Sequence, residues 1–149
     1  MPPPIPQPRD PALVDQEHLR LLTIFHYVLA GITALFACLP ILHVALGLFF
    51  ILAPEELMKG GQGHAEPPPA WFGWVFVIMG GLFVLLGWAL ALLTFLSGRY
   101  LAARRRWLFC MIIAGIQCAF VPLGTVLGIF TLIVLQRDSV RRLFPASAS

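Results

Sequence analysis

Three long stretches of the chain contain no Asp, Glu, Lys or Arg, and few polar residues interrupt them. These apolar runs are residues 21–54, 67–98 and 107–136, which span 34, 32 and 30 residues. Each is longer than the roughly 20 apolar residues that an α-helix needs to cross a bilayer. Because so much apolar surface is unstable in water, the pattern predicts an all-α fold, a polytopic transmembrane helical bundle.

The lengths of the runs and the positions of two prolines predict how often each run crosses. The middle run predicts one tilted crossing of about 40 Å. The first run would be about 51 Å long as one helix, more than a hydrocarbon core of about 30 Å. Pro40 and Pro122 lie near the middle of the outer runs, and proline interrupts a helix. We therefore predict two hairpins and five short spans, at about 18–39, 41–57, 71–97, 100–121 and 123–143.

Two segments of the outer runs resemble each other. Residues 25–36 read FHYVLAGITALF and residues 109–120 read FCMIIAGIQCAF, so Phe, Ala-Gly-Ile and Phe recur at a constant offset of 84 residues. With a single span between them, two such hairpins would have opposite orientations in the membrane. The sequence thus predicts an inverted repeat, an arrangement found in transporters.

Basic residues flank the third run on both sides. A hairpin places both groups on one face, and the positive-inside tendency makes that face, and the C-terminus with it, cytoplasmic. Five spans leave Arg9, Arg20 and Lys59 on the outer face, whereas a single crossing of the first run leaves only Lys59 there. Charge therefore favours four spans and length favours five; we predict five, with four as the alternative. The arginines assigned to lipid headgroups and orientation are Arg99, Arg104, Arg105, Arg106, Arg137, Arg141 and Arg142.

The composition supports a membrane protein, and this changes which partner the basic residues indicate. Charged residues make up 11% of the chain, against about 25% in soluble domains. The isoelectric point of about 9.1 would suggest nucleic acid in a soluble protein. Here the basic residues adjoin apolar runs, so we expect anionic lipid headgroups as partners and no nucleic acid.

Prolines near the N-terminus indicate where the domain begins. Residues 1–10 are rich in proline and are predicted to be a disordered tail. Asp10 and Pro11 have the pattern of an N-cap followed by a proline in the first turn, which predicts a helix from residue 11. We expect one transmembrane domain over residues 11–144 and a short tail over 145–149.

Small residues recur at helical spacing in two of the predicted spans. Gly73, Gly80 and Gly87 follow one another every seven residues, and Gly124 and Gly128 form a GxxxG motif. Small residues let helix backbones approach closely in lipid. The pattern predicts close helix packing, either within the chain or between copies of it.

Few polar side chains interrupt the apolar runs, and these are the candidate functional positions. Histidines inside a membrane are functional hypotheses by default, and amides or hydroxyls at that depth usually bond across helices. The runs contain no acidic residue, no nucleophile next to a base and no phosphate-binding loop. We therefore predict no catalytic residue, no cofactor and no metal site. The candidate intramembrane polar positions are His26, Thr33, His43, Gln117 and Thr125.

The motifs LRLLTIFHYVLAGITALF, WFGWVF and PLGTVLGIFTLIVLQRDSVRRLF resemble those of a family of small, uncharacterised bacterial integral membrane proteins. The resemblance implies a multi-pass location in the bacterial inner membrane and supplies no site. We expect a non-enzymatic accessory or scaffold that acts through helix packing, with a homo-oligomer or another membrane protein as partner. The alternative is a small transporter or channel, either monomeric or oligomeric, built on the inverted repeat.

Overall fold

A computed structural model describes residues 11–52, 69–120 and 122–144 of the protein. Within these ranges the chain forms helices and turns without a strand, so the all-α prediction is confirmed. The predicted tails and the whole connection between the first two apolar runs lie outside the described residues. The helices are α1 (Pro11–Phe36), α2 (Ile41–Leu52), α3 (Ala70–Ala102), α4 (Trp107–Gln117), α5 (Leu123–Leu135) and α6 (Asp138–Arg141).

The first apolar run contains two helices joined by a short break. α1 starts at Pro11, as the sequence predicts, because the N–H that proline lacks would have no partner in the first turn. Residues 37–40 form turns between α1 and α2. Hydrogen bonds around them join residues three or four apart, as in the Ala37 N–H that donates to the Thr33 carbonyl at 2.9 Å. The break therefore keeps a helix-like hydrogen-bond pattern.

α3 is longer than the predicted middle span and ends in a defined capping turn. The Arg105 N–H donates to the Tyr100 carbonyl at 2.9 Å, and the Arg104 N–H donates to the Leu101 carbonyl at 3.2 Å. These two bonds form a Schellman motif, whose left-handed position is Arg104 with φ 51°. Because α3 continues to Ala102, the helix of the third run begins later than the predicted residue 100.

Two helical stretches are long and apolar enough to cross a membrane. They are Leu13–Leu52, in which α1 and α2 follow each other, and Ala70–Ala102. α4 and α5 are shorter apolar helices. Large apolar side chains are exposed on these helices; Leu35, Leu85 and Val126 are 72%, 71% and 68% exposed. Exposed apolar surface of this extent is typical of a protein that contacts lipid or another protein.

The chain divides into two compact units. The middle unit comprises residues 31–91, and the terminal unit comprises residues 1–30 together with 92–149. α1 and α3 each contribute residues to both units.

In the middle unit, α2 packs antiparallel to the first part of α3. Ala37 lies against Gly87, and Gly47 lies against Gly73. Later residues of the first run therefore contact earlier residues of α3, as in an antiparallel pair. Aromatic rings extend this contact. The rings that pack together here are those of His43, Phe50, Phe72 and Phe76.

In the terminal unit, the first part of α1 packs antiparallel to the end of α3. The ring of Tyr27 lies 5.2 Å from the ring of Phe95, and nearer the start of α1 Leu19 lies beside Leu101. Both helices contribute to one hydrophobic core. Its buried members are Leu19, Leu22, Leu101, Cys110, Leu127, Val134, Leu135, Val140 and Phe144.

The third apolar run forms a hairpin within the terminal unit. Gly128 lies against Ala114, and Gly124 lies against the Gln117 carbonyl, so α4 and α5 run antiparallel. The Trp107 indole N–H donates to the carbonyl of Leu135 at 2.9 Å and so joins the two open ends of the hairpin.

The chain around the last helix is amphipathic. Val140 and Phe144 are buried in the core of the terminal unit, whereas Arg141 and Arg142 are exposed. α6 thus covers the open end of the bundle with its apolar face and presents arginines outward.

Candidate functional site

The glycines of the predicted seam lie where helix backbones are close together in the middle unit. A Cβ atom added to Gly73 would lie 2.9 Å from the Gly47 carbonyl oxygen, and one added to Gly80 would lie 3.1 Å from the Pro40 carbonyl oxygen. One added to Gly87 would lie 2.6 Å from the Cβ of Ala37. These distances leave little or no room for a side chain, so the seam faces neighbours in the same chain.

The GxxxG motif of α5 makes a second close contact, within the α4–α5 hairpin. A Cβ on Gly124 would lie 2.6 Å from the Gln117 carbonyl oxygen, and a Cβ on Gly128 would lie 2.5 Å from that of Ala114. Both neighbours are backbone atoms, which cannot rotate away. Other glycines have room for a side chain: nothing lies within 4 Å of a Cβ atom added to Gly81 or Gly115.

A cluster of buried polar side chains lies in the terminal unit. Gln117 is 5% exposed and donates through Nε2 to the hydroxyl oxygen of Thr94 at 3.2 Å. The Cys110 thiol donates to the carbonyl of Ser97 at 3.8 Å. His26 is fully buried on α1, and its Cβ lies 3.1 Å from the position of a Cβ on Gly98, the neighbour of Ser97 on α3. Residues from α1, α3 and α4 therefore contribute to this polar cluster.

Three atoms of the polar cluster have no hydrogen-bond partner among the described residues. They are His26 Nε2, Ser97 Oγ and Gln117 Oε1. The other ring nitrogen of His26, Nδ1, lies 2.9 Å from the Leu22 carbonyl oxygen. Since a carbonyl only accepts, this contact assigns the proton of a neutral ring to Nδ1 and leaves Nε2 as an acceptor. Buried polar atoms usually have a partner, so this cluster is the strongest candidate for a polar function.

The structure brings only some of the predicted polar positions together. His26 and Gln117 belong to the polar cluster. Thr33 and His43 lie in the middle unit, where Thr33 is half-buried and His43 is exposed. The Thr125 hydroxyl donates to the Cys118 carbonyl at 2.9 Å and so stabilises the turn of the hairpin.

Sequence reasoning missed two members of the polar cluster. Neither Thr94 nor Ser97 is among the candidate polar positions that the sequence predicts. A Ser or Thr in an apolar run is weak evidence for a polar site, because its hydroxyl can donate a hydrogen bond to a backbone carbonyl of its own helix. The stronger signal for Thr94 is its place on the face of α3 that carries the glycine seam.

The arginines assigned to headgroups lie at the end of α3, in the turn after it, and in or beside α6. The Arg106 guanidinium lies 5.4 Å from the ring centre of Tyr100, and that of Arg141 lies 5.0 Å from the ring centre of Trp107. Arginines stacked on Tyr and Trp are characteristic of a membrane–water interface. Arg137 forms an ion pair with the buried carboxylate of Asp15 at 3.5 Å.

The described ranges contain no group of three or more His, Cys, Asp or Glu side chains placed to hold a metal ion. No protein-family model, no curated protein and no solved structure matches this chain.

Proposed function

We propose that the chain is an integral protein of the bacterial inner membrane that has no catalytic activity and acts as an accessory or scaffold through helix packing. The observation that carries this proposal is the apolar surface left exposed on closely packed helices: the close contacts at Gly47, Gly73 and Gly80 hold helices of the chain together, and large apolar side chains remain exposed on the same helices. In lipid there is no hydrophobic force between helices, so close packing of small residues is the main source of specific association.

The exposed apolar side chains support a membrane location. Exposing apolar surface to water costs a free energy of about 25 cal/mol for each square ångström. Contact of the same surface with lipid acyl chains avoids this cost. Leu35 and Leu52 on the first run, and Leu85 on α3, are more than 70% exposed. These side chains would contact acyl chains or the partner that the scaffold binds.

For the first run we propose one complete crossing, as in the four-span alternative, in place of a hairpin. Contacts on both sides of Pro40 within the middle unit support it: Ala37 lies against Gly87 and Gly47 lies against Gly73, so the chain keeps one direction along α3 before and after the proline. A hairpin at Pro40 would give α1 and α2 opposite directions. Residues 37–40 would then be a kink within the crossing.

The length of the first run is compatible with a single crossing. His26 lies against Gly98, and Ile51 lies against Gly73. The stretch from His26 to Ile51 is about 39 Å long as a helix. A helix of this length fits a hydrocarbon core of about 30 Å if it is tilted. Residues 21–25 would then lie at the level of the headgroups.

For the third run we propose a re-entrant hairpin. α4 and α5 have 11 and 13 residues, or about 17 and 20 Å, less than the core thickness of about 30 Å. The turn between them would lie inside the membrane, where irregular backbone needs internal partners. The Phe120 N–H donates to the Gln117 carbonyl at 2.9 Å, and the Thr125 N–H donates to the Phe120 carbonyl at 3.0 Å.

In this topology both ends of the described chain lie on the cytoplasmic side. The ion pair between Asp15 and Arg137 supports the placement, because it joins the start of α1 to the segment after α5. Arg20 then joins the basic residues of α3 and α6 on that side, as the positive-inside tendency favours.

A small transporter or channel is the second candidate function, favoured by the unpartnered buried atoms of the polar cluster. Intramembrane polar groups of this kind often mark substrate or ion pathways. In a transporter, His26 and Gln117 would contact the transported species, whereas the exposed His43 would not.

A flux assay in proteoliposomes separates the two functions. The scaffold proposal predicts that the wild-type protein gives no ion or solute flux above that of empty liposomes. Flux that Gln117→Leu abolishes, and that the matched control His43→Leu leaves unchanged, would contradict the scaffold proposal and establish the transporter. Gln117→Leu itself should cost only about 0.6 kcal/mol of stability, the average for a polar contact between membrane helices.

A further inference from the structure

A cleft of about 210 Å³ lies between the first part of α1 and the end of α3, within the terminal unit. Leu19 and Leu101 contribute its apolar lining, and its polar lining comes from four side chains. One water molecule needs about 10–15 Å³ of such space, so the cleft accommodates a polyatomic group. The polar lining residues are Gln16, Arg20, Thr23 and Arg104.

The charge of the cleft is positive. Arg20 and Arg104 are two of its lining residues, and no acidic residue lines it. Within the described ranges, the ion pair of this end of the bundle is that of Asp15 with Arg137, and the stacked arginines are Arg106 and Arg141. The two cleft arginines therefore have no acidic partner among the described residues.

The donors and acceptors of the cleft suit an anion with several oxygen atoms. Each guanidinium presents a planar fork of N–H donors that matches phosphate oxygens, and the Gln16 amide supplies further donors. The Thr23 hydroxyl donates its hydrogen to the Leu19 carbonyl at 2.9 Å, so it is not a donor to a ligand. The binding contacts would come mainly from the arginines and Gln16.

The backbone at Arg104 is a second observation about the cleft. Arg104 occupies the left-handed position of the Schellman motif, with φ 51°, where glycine is the usual residue. A side chain in this conformation is strained. Arg106, outside the cleft, has the same φ of 51°, so the strain belongs to the whole turn, and at Arg104 the turn brings the residue into the lining of the cleft.

We propose that this cleft binds a negatively charged phosphate group. Its position next to the exposed apolar residues Leu21 and Ile24 of α1, at the arginine-rich end of the unit, suits the phosphate of an anionic phospholipid whose acyl chains lie along α1. A soluble phosphate compound offers the same chemistry. The proposal goes beyond the scaffold function and assigns a specific site, in which Arg20 of α1 acts together with Arg104.

Binding measurements on the purified full-length protein test the proposal. We would titrate the detergent-solubilised protein with short-chain phosphatidylglycerol, with short-chain phosphatidylcholine as the net-neutral comparison, and separately with inorganic phosphate. The wild type should bind at least one of the two anions saturably. Arg20→Gln and Arg104→Gly should each weaken that binding by about tenfold or more, because each removes a charge-assisted contact.

The variants are chosen so that loss of charge is separated from loss of fold. Arg104→Gly relieves the backbone strain and keeps the turn, so the helix content should not fall. Arg105→Gln removes one charge from the same turn without touching the cleft, and it should bind within about twofold of the wild type, because a single remote charge is largely screened by salt.

Each outcome decides the proposal. Saturable binding of phosphatidylglycerol but not of inorganic phosphate supports a lipid headgroup, and saturable binding of inorganic phosphate supports a soluble phosphate compound. Binding of phosphatidylcholine as tight as that of phosphatidylglycerol overturns the proposal, because the cleft would then not select a net negative charge. Absence of saturable binding of either anion to the wild type, or an equal loss in Arg105→Gln, overturns the proposal. Because the experiment uses detergent and no flux or topology readout, its failure would leave the membrane and scaffold proposals unaffected.

Discussion

Gly80→Leu is expected to lower the free energy of unfolding of the detergent-solubilised monomer by about 1–3 kcal/mol or more, as overpacking of a tight interior does. A Cβ at this position would already lie 3.0 Å from Val44 Cγ2, 3.1 Å from His43 Cβ and 3.1 Å from the Pro40 carbonyl oxygen. The three further carbons of leucine would have no room unless α2 moves away from α3. Thermal or denaturant unfolding followed by circular dichroism gives the measurement.

Gly81→Leu is the matched control, one residue along the same helix. Nothing lies within 4 Å of a Cβ at Gly81, so this change should be neutral, or stabilising by up to about 1 kcal/mol through helix propensity. Equal destabilisation by both changes would contradict the packing of α2 on α3. If Gly80→Leu kept the monomer stable but abolished a wild-type dimer, the seam would be an interface between copies instead.

Gly128→Ala is expected to destabilise the α4–α5 hairpin, although it adds a single methyl group. That methyl carbon would lie 2.5 Å from the Ala114 carbonyl oxygen and 3.0 Å from the Cys118 backbone nitrogen. Since backbone atoms cannot rotate out of the way, the two helices must separate. We expect a loss of about 1–3 kcal/mol in the free energy of unfolding, measured in the same way.

Gly115→Ala is the control for this second change, on the facing helix of the hairpin. Its added methyl group meets nothing within 4 Å, and replacing glycine in a helix should gain about 0.5–1 kcal/mol. A neutral Gly128→Ala variant would show that α4 and α5 are farther apart than these contacts require.

The sequence predicts which face of α3 packs against a neighbour, but it does not show which glycines lack room for a side chain. Spacing alone placed Gly73, Gly80 and Gly87 on one side of the helix, because seven residues make about two helical turns. The adjacent Gly81 is equally small, and its open position becomes visible only when α2 is in place. Which face of a helix meets a neighbour depends on contacts far apart in sequence.

The two prolines show why the direction of the chain after a proline could not be read from the sequence. Pro40 and Pro122 both lie near the middle of an apolar run. After Pro122 the chain reverses and α5 packs back on α4, whereas after Pro40 the chain continues antiparallel to α3. Proline removes one hydrogen bond and interrupts a helix, but the direction of the chain afterwards is set by what the next helix packs against.

The candidate site could be predicted only in part. His26 and Gln117 were identified because ionisable and amide groups are costly in an apolar run. Ser97 gave too weak a signal, and the cleft between α1 and α3 gave none. Its arginines, Arg20 and Arg104, lie 84 residues apart and share a cleft only because α1 and α3 run antiparallel in the terminal unit.

Single-cysteine labelling in intact cells and inverted vesicles tests the central claim, the membrane topology, most directly. With the three native cysteines replaced, Gln7→Cys and Ser147→Cys should react with an impermeant reagent only from the cytoplasmic side. Gln62→Cys should react only from the opposite side, and Ala119→Cys, in the proposed re-entrant turn, from neither.

Labelling of Gln7→Cys from the outer side together with Gln62→Cys would contradict the single crossing and restore two hairpins and five spans. Labelling of Ala119→Cys from the outer side would make α4 and α5 complete crossings. Labelling of Ser147→Cys from the outer side would contradict the hairpin, and labelling of all four positions from one side would contradict the membrane protein altogether.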